Sequence, residues 1–307
     1  MKALMFHYVR PDNPDLPYFK HFHIDNFKQM LDYIEHNFNF IPLHTFIDCI
    51  TCNKNTNGYI LTFDDGFKDH YRYVFPELRR RKLWGLFYPS VGPFLNNKLL
   101  DVHRVHMLLG RYPAAKIYHE IKSILTENML CQEHVKEFKS KTYKKQVNDT
   151  NTEEVKKLLN YFIDYKYRST IVDMLAKKFF TDEKSLTKEF YMKPEEIKEM
   201  ADNGMIIGSH TVFHPVLSRL SIEQQEIEIS TSLDMIENII DNPLAIRSFC
   251  YPYGESFSFT QETKQILDKY NCLFAFTAEP KDILLQDILH NRLTLPRYDC
   301  IHFKDSL

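Results

Sequence analysis

LTFDDGF, Leu61 to Phe67, is the stretch whose reading decides the fold. Its front half reads as a buried strand. Two carboxylates, Asp64 and Asp65, then stand side by side, and a glycine follows at once. Asp-Gly is a common turn signal and aspartate often caps a following helix, so a structural role is the ordinary reading of the stretch alone. Two physical points argue for more. Neighbouring strand side chains point to opposite faces, so a pair at a strand end can serve two tasks. Crowded carboxylates also repel unless something positive, such as a metal ion, lies nearby. A chain built this way is expected to supply further metal ligands elsewhere.

Short apolar runs rich in β-branched and aromatic residues recur on both sides of this strand. They are ALMFHYV (3–9), GYILTF (58–63), WGLFYPS (84–90), MIIGSH (205–210), IRSFCYP (246–252) and CLFAFTA (272–278), with a weaker RLTLP at 292–296. Helical patterns lie between them. Ile24 to Phe38 and Phe67 to Lys82 carry apolar residues at helical spacing, and the second ends in a basic turn that suits the helix dipole. Pro194 opens a helix with Glu195 and Glu196 in its first turn, and Asn203-Gly204 stops it. Ser221 with Gln224 fits a capping box before a helix running to about Ile240.

Alternating strands and helices predict an α/β fold with a parallel sheet or barrel. About seven strands suit a (β/α) barrel, complete or incomplete, whose functional residues sit at the C-terminal strand ends. Asp64, Asp65, His210 and the run Tyr251 to Gly254 all fall at such ends. Residues 96–190 break the alternation and read as almost wholly helical after a turn-rich GPFLNN entry. The expected organisation is a barrel from 1–95 and 191–307 with a large helical insertion, 96–190, in the same domain. The insertion carries Tyr161, Phe162, Tyr165, Tyr167, Phe179 and Phe180, more aromatics than a thin cap needs, so it is expected to pack on the barrel or on a second copy in a homo-oligomer.

Composition excludes some roles. The chain has 307 residues, 44% hydrophobic and 14% aromatic, which is enough for a sizeable core. Its formal net charge of −2 points neither to nucleic acid nor to an anionic membrane. Lys136, Lys139, Lys141, Lys144 and Lys145 form a basic stretch, interrupted by Glu137, that reads as a solvated helix face. The apolar run of MKALMFHYVR is too short for a signal-peptide core, and no segment approaches a membrane span. Cys49 and Cys52 make a single CxxC with no second pair at zinc-site spacing, so all six cysteines are read as reduced thiols in a cytoplasmic protein.

Two further stretches bear on chemistry. In GSHTVFHP, Gly208 to Pro215, His210 and His214 are four apart; in a helical turn both imidazoles would share one face. Such a pair is usually a surface accident, but this one follows an apolar strand in a chain whose other strand end carries two aspartates. Two histidines and one aspartate make a facial metal triad with open positions. In FCYPYGE, Phe249 to Glu255, the Pro-Tyr-Gly turn leaves backbone N–H groups that can hold an oxyanion; alone it would be an ordinary turn.

Taken together, TFDDG, the HTxxH pair and the Pro-Tyr-Gly turn resemble the polysaccharide deacetylase family of carbohydrate esterases, the group with the NodB homology domain. The resemblance covers 1–95 and about 191–300. It implies a distorted (β/α) barrel. It implies that Asp64 is the general base, that Asp65, His210 and His214 hold a divalent metal, zinc first, and that the Tyr253 N–H helps hold the oxyanion. The chain departs from the pattern in two places. Many members carry, three residues before the motif tyrosine, an arginine that orients the catalytic aspartate; here that position is Cys250, with Arg247 and Arg297 as candidate substitutes. The late leucine-x-x-histidine motif is also unclear near Leu289-His290. His7, ending the first strand, resembles the permuted arrangement of the poly-β-1,6-N-acetylglucosamine deacetylases and becomes the expected general acid. His21, His23, His70, His103 and His106 are read as structural or surface residues.

The implied function is metal-dependent removal of N-acetyl from a sugar in surface-polysaccharide synthesis, the substrate being nucleotide-linked, lipid-linked or polymeric. An O-deacetylase, deformylase or other amide hydrolase would use the same site. A sugar-binding protein on an inactive scaffold would be marked by loss of Asp64 or a metal ligand, and all four residues are present.

Overall fold

A computed structural model describes residues 1–139, 141–143, 148–242, 244 and 246–301; Lys144 and Lys145 of the basic stretch lie outside these. The chain divides into two compact units. The first comprises Met1–Pro11, His21–Asn97 and Lys188–Leu307, the second Asp12–Lys20 and Lys98–Thr187.

The first unit is built on short parallel strands. They are β1 (Lys2–Phe6), β2 (Val9–Arg10), β3 (Phe22–His23), β4 (Tyr59–Asp65), β5 (Leu86–Pro89), β6 (Ile206–Ile207), β7 (Ser248–Cys250), β8 (Phe274–Phe276) and β9 (Tyr298–Asp299). Five of them form one sheet in the order β6-β5-β4-β1-β9, and β2-β3 and β7-β8 form separate pairs. Single parallel bridges continue the circuit: Ser209 to Phe249 leads from the end of β6 to β7, and Phe276 to Leu295 leads from β8 toward β9. This is a distorted (β/α) barrel left incomplete at two seams, where isolated bridges replace a continuous ladder.

Strand alternation sorts the side chains. Ile60 of β4 joins Ala3, Leu86, Tyr88, Cys250, Phe274 and Phe276 in one apolar cluster, supplied by strands from all round the barrel. Leu61 and Phe63 join Leu4, Phe6 and Phe87 in a second, outer cluster. That outer cluster is closed by Phe27, Met30, Leu31 and Ile34, the buried stripe of the helix Ile24–Asn37. A period of two therefore carries Thr62 and Asp64 on the inner face with Ile60.

The helices follow their end signals, with two exceptions. Pro194–Asp202 starts on its proline, and Ile222–Ile240 carries the Ser221/Gln224 capping box. The helix expected over Phe67 to Lys82 is instead split: a π-helical turn at His70–Val74 precedes an α-helix at Phe75–Arg81. Pro76 explains the split, since it offers no N–H to the preceding turn and its ring needs the wider spacing. The weak strand RLTLP is also corrected. Arg292–Thr294 is a 3₁₀ turn, only Leu295 bridges, and the strand proper is Tyr298–Asp299. Pro296 cannot donate to a ladder, so pairing resumes only beyond it. GPFLNN, expected as turns, opens as a short helix, Gly92–Asn96.

The second unit is helical, with α-helices at Asp101–Arg111, Ala114–Ile124, Gln132–Phe138, Thr150–Lys157 and Tyr165–Phe179. Val105, Leu108, Ile117, Ile121, Val155 and Leu159 are fully buried. Arg104, almost fully buried, binds Asp101 on its own helix, Asp173 on Tyr165–Phe179 and Glu183 at the start of a further helix, Glu183–Phe190. Of its aromatics, Tyr161, Phe162, Phe179 and Phe180 are buried. All six cysteines are free thiols. Among the described residues no helix is long and apolar enough to cross a membrane.

Candidate active site

The residues the sequence marked as chemical, apart from Arg247 and His290, gather at the C-terminal ends of β1, β4, β6 and β7. Asp64 and Asp65 are the last two residues of β4 and both are buried, at 2% and 3% exposure. Asp64 keeps the alternation of the strand. Asp65 does not: its φ of +76° turns the chain out of the ladder. Gly66 follows at φ +73°, and a Cβ there would lie 2.6 Å from the Cβ of Pro89, so only glycine fits the turn. This local break lets two adjacent carboxylates address different neighbours.

Asp65 faces two imidazoles. Its Oδ1 is 3.4 Å from His210 Nε2 and 3.4 Å from His214 Nε2. One ligand atom from each of the three residues falls within 4.8 Å of the others. The histidine pair does not come together on a helix, as its spacing suggested. Residues 210–216 are non-helical, and Thr211 and His214 have φ of +64° and +54°, so a tight irregular turn brings the rings to 4.8 Å between centroids. His210 Nδ1 lies 2.7 Å from the Cys250 carbonyl, which can only accept; Nδ1 therefore carries a proton, and Nε2, on the Asp65 side, is the nitrogen left for a metal to take in place of a proton. Burial works against a charged His210, but Cys250, Asp65 and Asp64 outweigh it and raise its pKa well above the ordinary value. Two nitrogens and a carboxylate oxygen, buried and converging in an environment that favours positive charge, fit a divalent cation. A backbone carbonyl fixing the far nitrogen is the usual support of a ligating histidine.

Asp64 faces a different cation. Arg297, 1% exposed, donates from Nη1 to Oδ1 and from Nη2 to Oδ2, each at 2.8 Å. Its other donors are spent on the Thr277 carbonyl, the Thr62 hydroxyl and Cys250 Sγ, so all five guanidinium N–H groups are engaged. Burial would raise the Asp64 pKa, but the charge and hydrogen bonds of Arg297 outweigh it and hold it at about 2. The Cys250 thiol donates to Asp64 Oδ2 at 3.3 Å, and burial pushes its own pKa up. Arg247, the other candidate, binds Glu237 and the Tyr270 carbonyl instead.

His7 follows β1 directly and is 39% exposed on its side chain, with Nε2 3.9 Å from Asp64 Oδ2. Its backbone carbonyl accepts from His70 Nε2 at 2.7 Å. Burial pushes the His70 pKa down to about 4, so this imidazole is neutral at ordinary pH. Tyr253 has φ +65° and its ring lies 5.0 Å from that of His214. The Gly254 carbonyl accepts from Ala278 N at 2.9 Å, and a Cβ at Gly254 would meet that nitrogen at 2.7 Å. His290 ends the Leu285–His290 helix and lines a separate cavity of about 620 Å³.

His70 is the buried structural residue the sequence suggests, but its place against the His7 carbonyl is not legible there, and Arg297 stands in the sequence only as one of two candidate arginines. Neither carries a local signal: each acts through contacts across 63 or more residues.

Comparison with known proteins gives a consistent result. The polysaccharide deacetylase family profile matches residues 135–275, a stretch that takes in His210, His214 and Tyr253 but not His7, Asp64 or Asp65. The chain is 32% identical over 97 residues to the putative polysaccharide deacetylase YxkH of Bacillus subtilis (strain 168); the match spans 32% of this chain and 33% of that protein, so about a third of the curated relative is covered. Among solved structures, it superposes on the Streptococcus pyogenes deacetylase PplD in complex with acetate with a TM-score of 0.58 and 16% identity, covering 97% of this chain and 91% of the other. IcaB from Ammonifex degensii gives a TM-score of 0.54 at 19% identity, covering 97% and 90%. At such identities the likeness is one of fold.

Proposed function

We propose that the chain is a polysaccharide deacetylase of NodB type, a reading supported by the profile match and the likeness of fold, and that it is a metal-dependent hydrolase that removes the acetyl group from the nitrogen of an N-acetylated sugar. The observation that carries this reading is the convergence of Asp65, His210 and His214 on one point beside the Arg297-bound Asp64. A divalent metal, zinc first, held by those three residues would supply a Lewis acid for the acyl carbonyl and lower the pKa of water toward neutrality.

The protein's own groups divide the remaining work. Asp64, kept ionised by Arg297, accepts a proton from the attacking water. A carboxylate held at about 2 gives that proton up readily, and His7 stands 3.9 Å from one of its oxygens. His7, protonated, delivers a proton to the leaving amine, which an amide requires because an amine anion is a very poor leaving group. The Tyr253 N–H, in its left-handed turn, supports the oxyanion. The partly exposed His7 side marks where substrate would enter. The sugar is nucleotide-linked, lipid-linked or part of a growing surface polymer.

The test is acetate release from N-acetylated nucleotide sugars, lipid-linked oligosaccharides and poly-N-acetylglucosamine oligomers, with added metals and with chelator. Release from O-acetyl substrates alone would replace the N-deacetylase reading. Absence of release from all of them, by protein shown to bind metal, would favour a sugar-binding role.

A further inference from the structure

The turn that carries His210 and His214 is strained, and one helix holds it. Thr211 and His214 both sit in the left-handed region, which histidine tolerates but where a β-branched residue such as Thr211 is rarely stable without support. The support comes from the helix Ile222–Ile240. Glu228 Oε2 accepts from the backbone N–H groups of both Val212, at 2.8 Å, and Phe213, at 2.9 Å. The Thr211 hydroxyl also bonds to Glu228, and its oxygen accepts from His214 N at 3.0 Å. Four residues on, and therefore on the same face of the helix, the Ser232 hydroxyl meets that of Ser209, the residue before His210. Ser232 is fixed in turn by the Ile229 carbonyl, and Ile229 and Leu233 anchor the helix in the core. The turn is thus gripped on both sides of His210 by two side chains one helical turn apart.

We propose that Glu228 and Ser232 are positioning residues that hold the His210–His214 turn in the geometry a divalent metal requires. The inference rests on the metal reading of Asp65, His210 and His214. Glu228 does the larger part. A single carboxylate oxygen takes two successive amides, and the Thr211 hydroxyl passes the restraint to His214. Without it, those amides and the hydroxyl must find water, and the turn is free to relax out of the left-handed region and draw the imidazoles apart.

The experiment is a direct titration of metal-free, full-length protein with Co²⁺, read by visible absorption, followed by Zn²⁺ competition. Supporting groups around metal ligands are typically worth about 10–100-fold in affinity. Glu228→Ala is expected to lose about that much, and Ser232→Ala less. Glu228→Gln keeps an acceptor in place and is expected to bind close to wild type; Glu228→Asp withdraws it by one methylene and is expected to weaken. The Gln and Asp pair carries the test where the alanine variant does not fold. Glu226→Ala is the control, because Glu226 lies on the same helix but binds Lys269 and Tyr270. Wild-type affinity in both Glu228→Ala and Glu228→Asp, with binding lost in His214→Ala, overturns the clamp and leaves the metal site standing. No binding by the wild type overturns the metal reading, and the clamp with it.

Discussion

Arg297 and Asp64 form a buried two-pronged ion pair across 233 residues of chain, both hydrogen bonds at 2.8 Å. The Cys250 thiol fills the space beside both groups, donating to Asp64 Oδ2 and accepting from Arg297 Nη2.

Removing Arg297 should therefore cost both stability and activity. Breaking a buried pair by deleting one member is typically worth about 3–5 kcal/mol, because the other charge is left uncompensated. Arg297→Met should show that loss in denaturant unfolding. In any folded fraction, the Asp64 pKa should rise, moving the acid limb of the pH–rate profile upward. Arg297→Lys keeps the charge but not the fork, and should fall between. Wild-type stability and an unmoved acid limb in Arg297→Met would contradict the role.

The two proton carriers should separate from the metal ligands. Asp64→Asn and His7→Ala should bind metal nearly normally and lose roughly 10²–10⁴ in turnover. Asp65→Ala should lose metal and activity together, and the His210→Ala, His214→Ala double variant should purify without metal. Metal analysis alongside acetate release checks both groups.

His7 has a signature of its own. As the acid, it is needed only where the leaving group must be protonated. The defect of His7→Ala should therefore shrink on an activated ester, whose leaving group needs little protonation. Hydrolysis of an amide substrate by His7→Ala at the wild-type rate would remove His7 from the mechanism.

His70 should make stability depend on pH. Its pKa falls from an ordinary 6.5 to about 4 on burial, so the unfolded chain binds the proton more readily than the folded one. The contribution is complete above pH 6.5 and is lost as the pH falls toward 4. A shift of this size corresponds to roughly 3 kcal/mol. Denaturant midpoints measured at pH 7 and pH 4.5 should differ more for wild type than for His70→Phe. The same variant should lower turnover with little change in KM, since it frees the carbonyl of His7. Equal pH slopes in the two proteins would show that His70 does not ionise as its burial requires.

How much of this was written locally varies from element to element. β4, the Pro194 helix start and the Ser221 capping box were legible because a strand or a cap is set by residues within a few positions of one another. Asp64, Asp65, His210 and His214 were legible for a similar reason, each pair being a short motif at a strand end. The π-helical turn before Pro76 and the displacement of the last strand beyond Pro296 were missed, although both follow from prolines in plain view, because an apolar pattern does not record which N–H groups the ladder and the helix need.

The sequence by itself determined which residues could do chemistry and that they would lie at strand ends. Only the tertiary structure decided which of them meet. It chose Arg297 over Arg247 for Asp64, set His70 behind His7, and laid Glu228 across the histidine turn. A side chain's identity and its neighbours along the chain are fixed by local order, but hydrogen bonds reach only about 3 Å. Whether two groups distant in sequence come within that reach depends on how the strands between them pack and twist, and no stretch of a few residues contains that information.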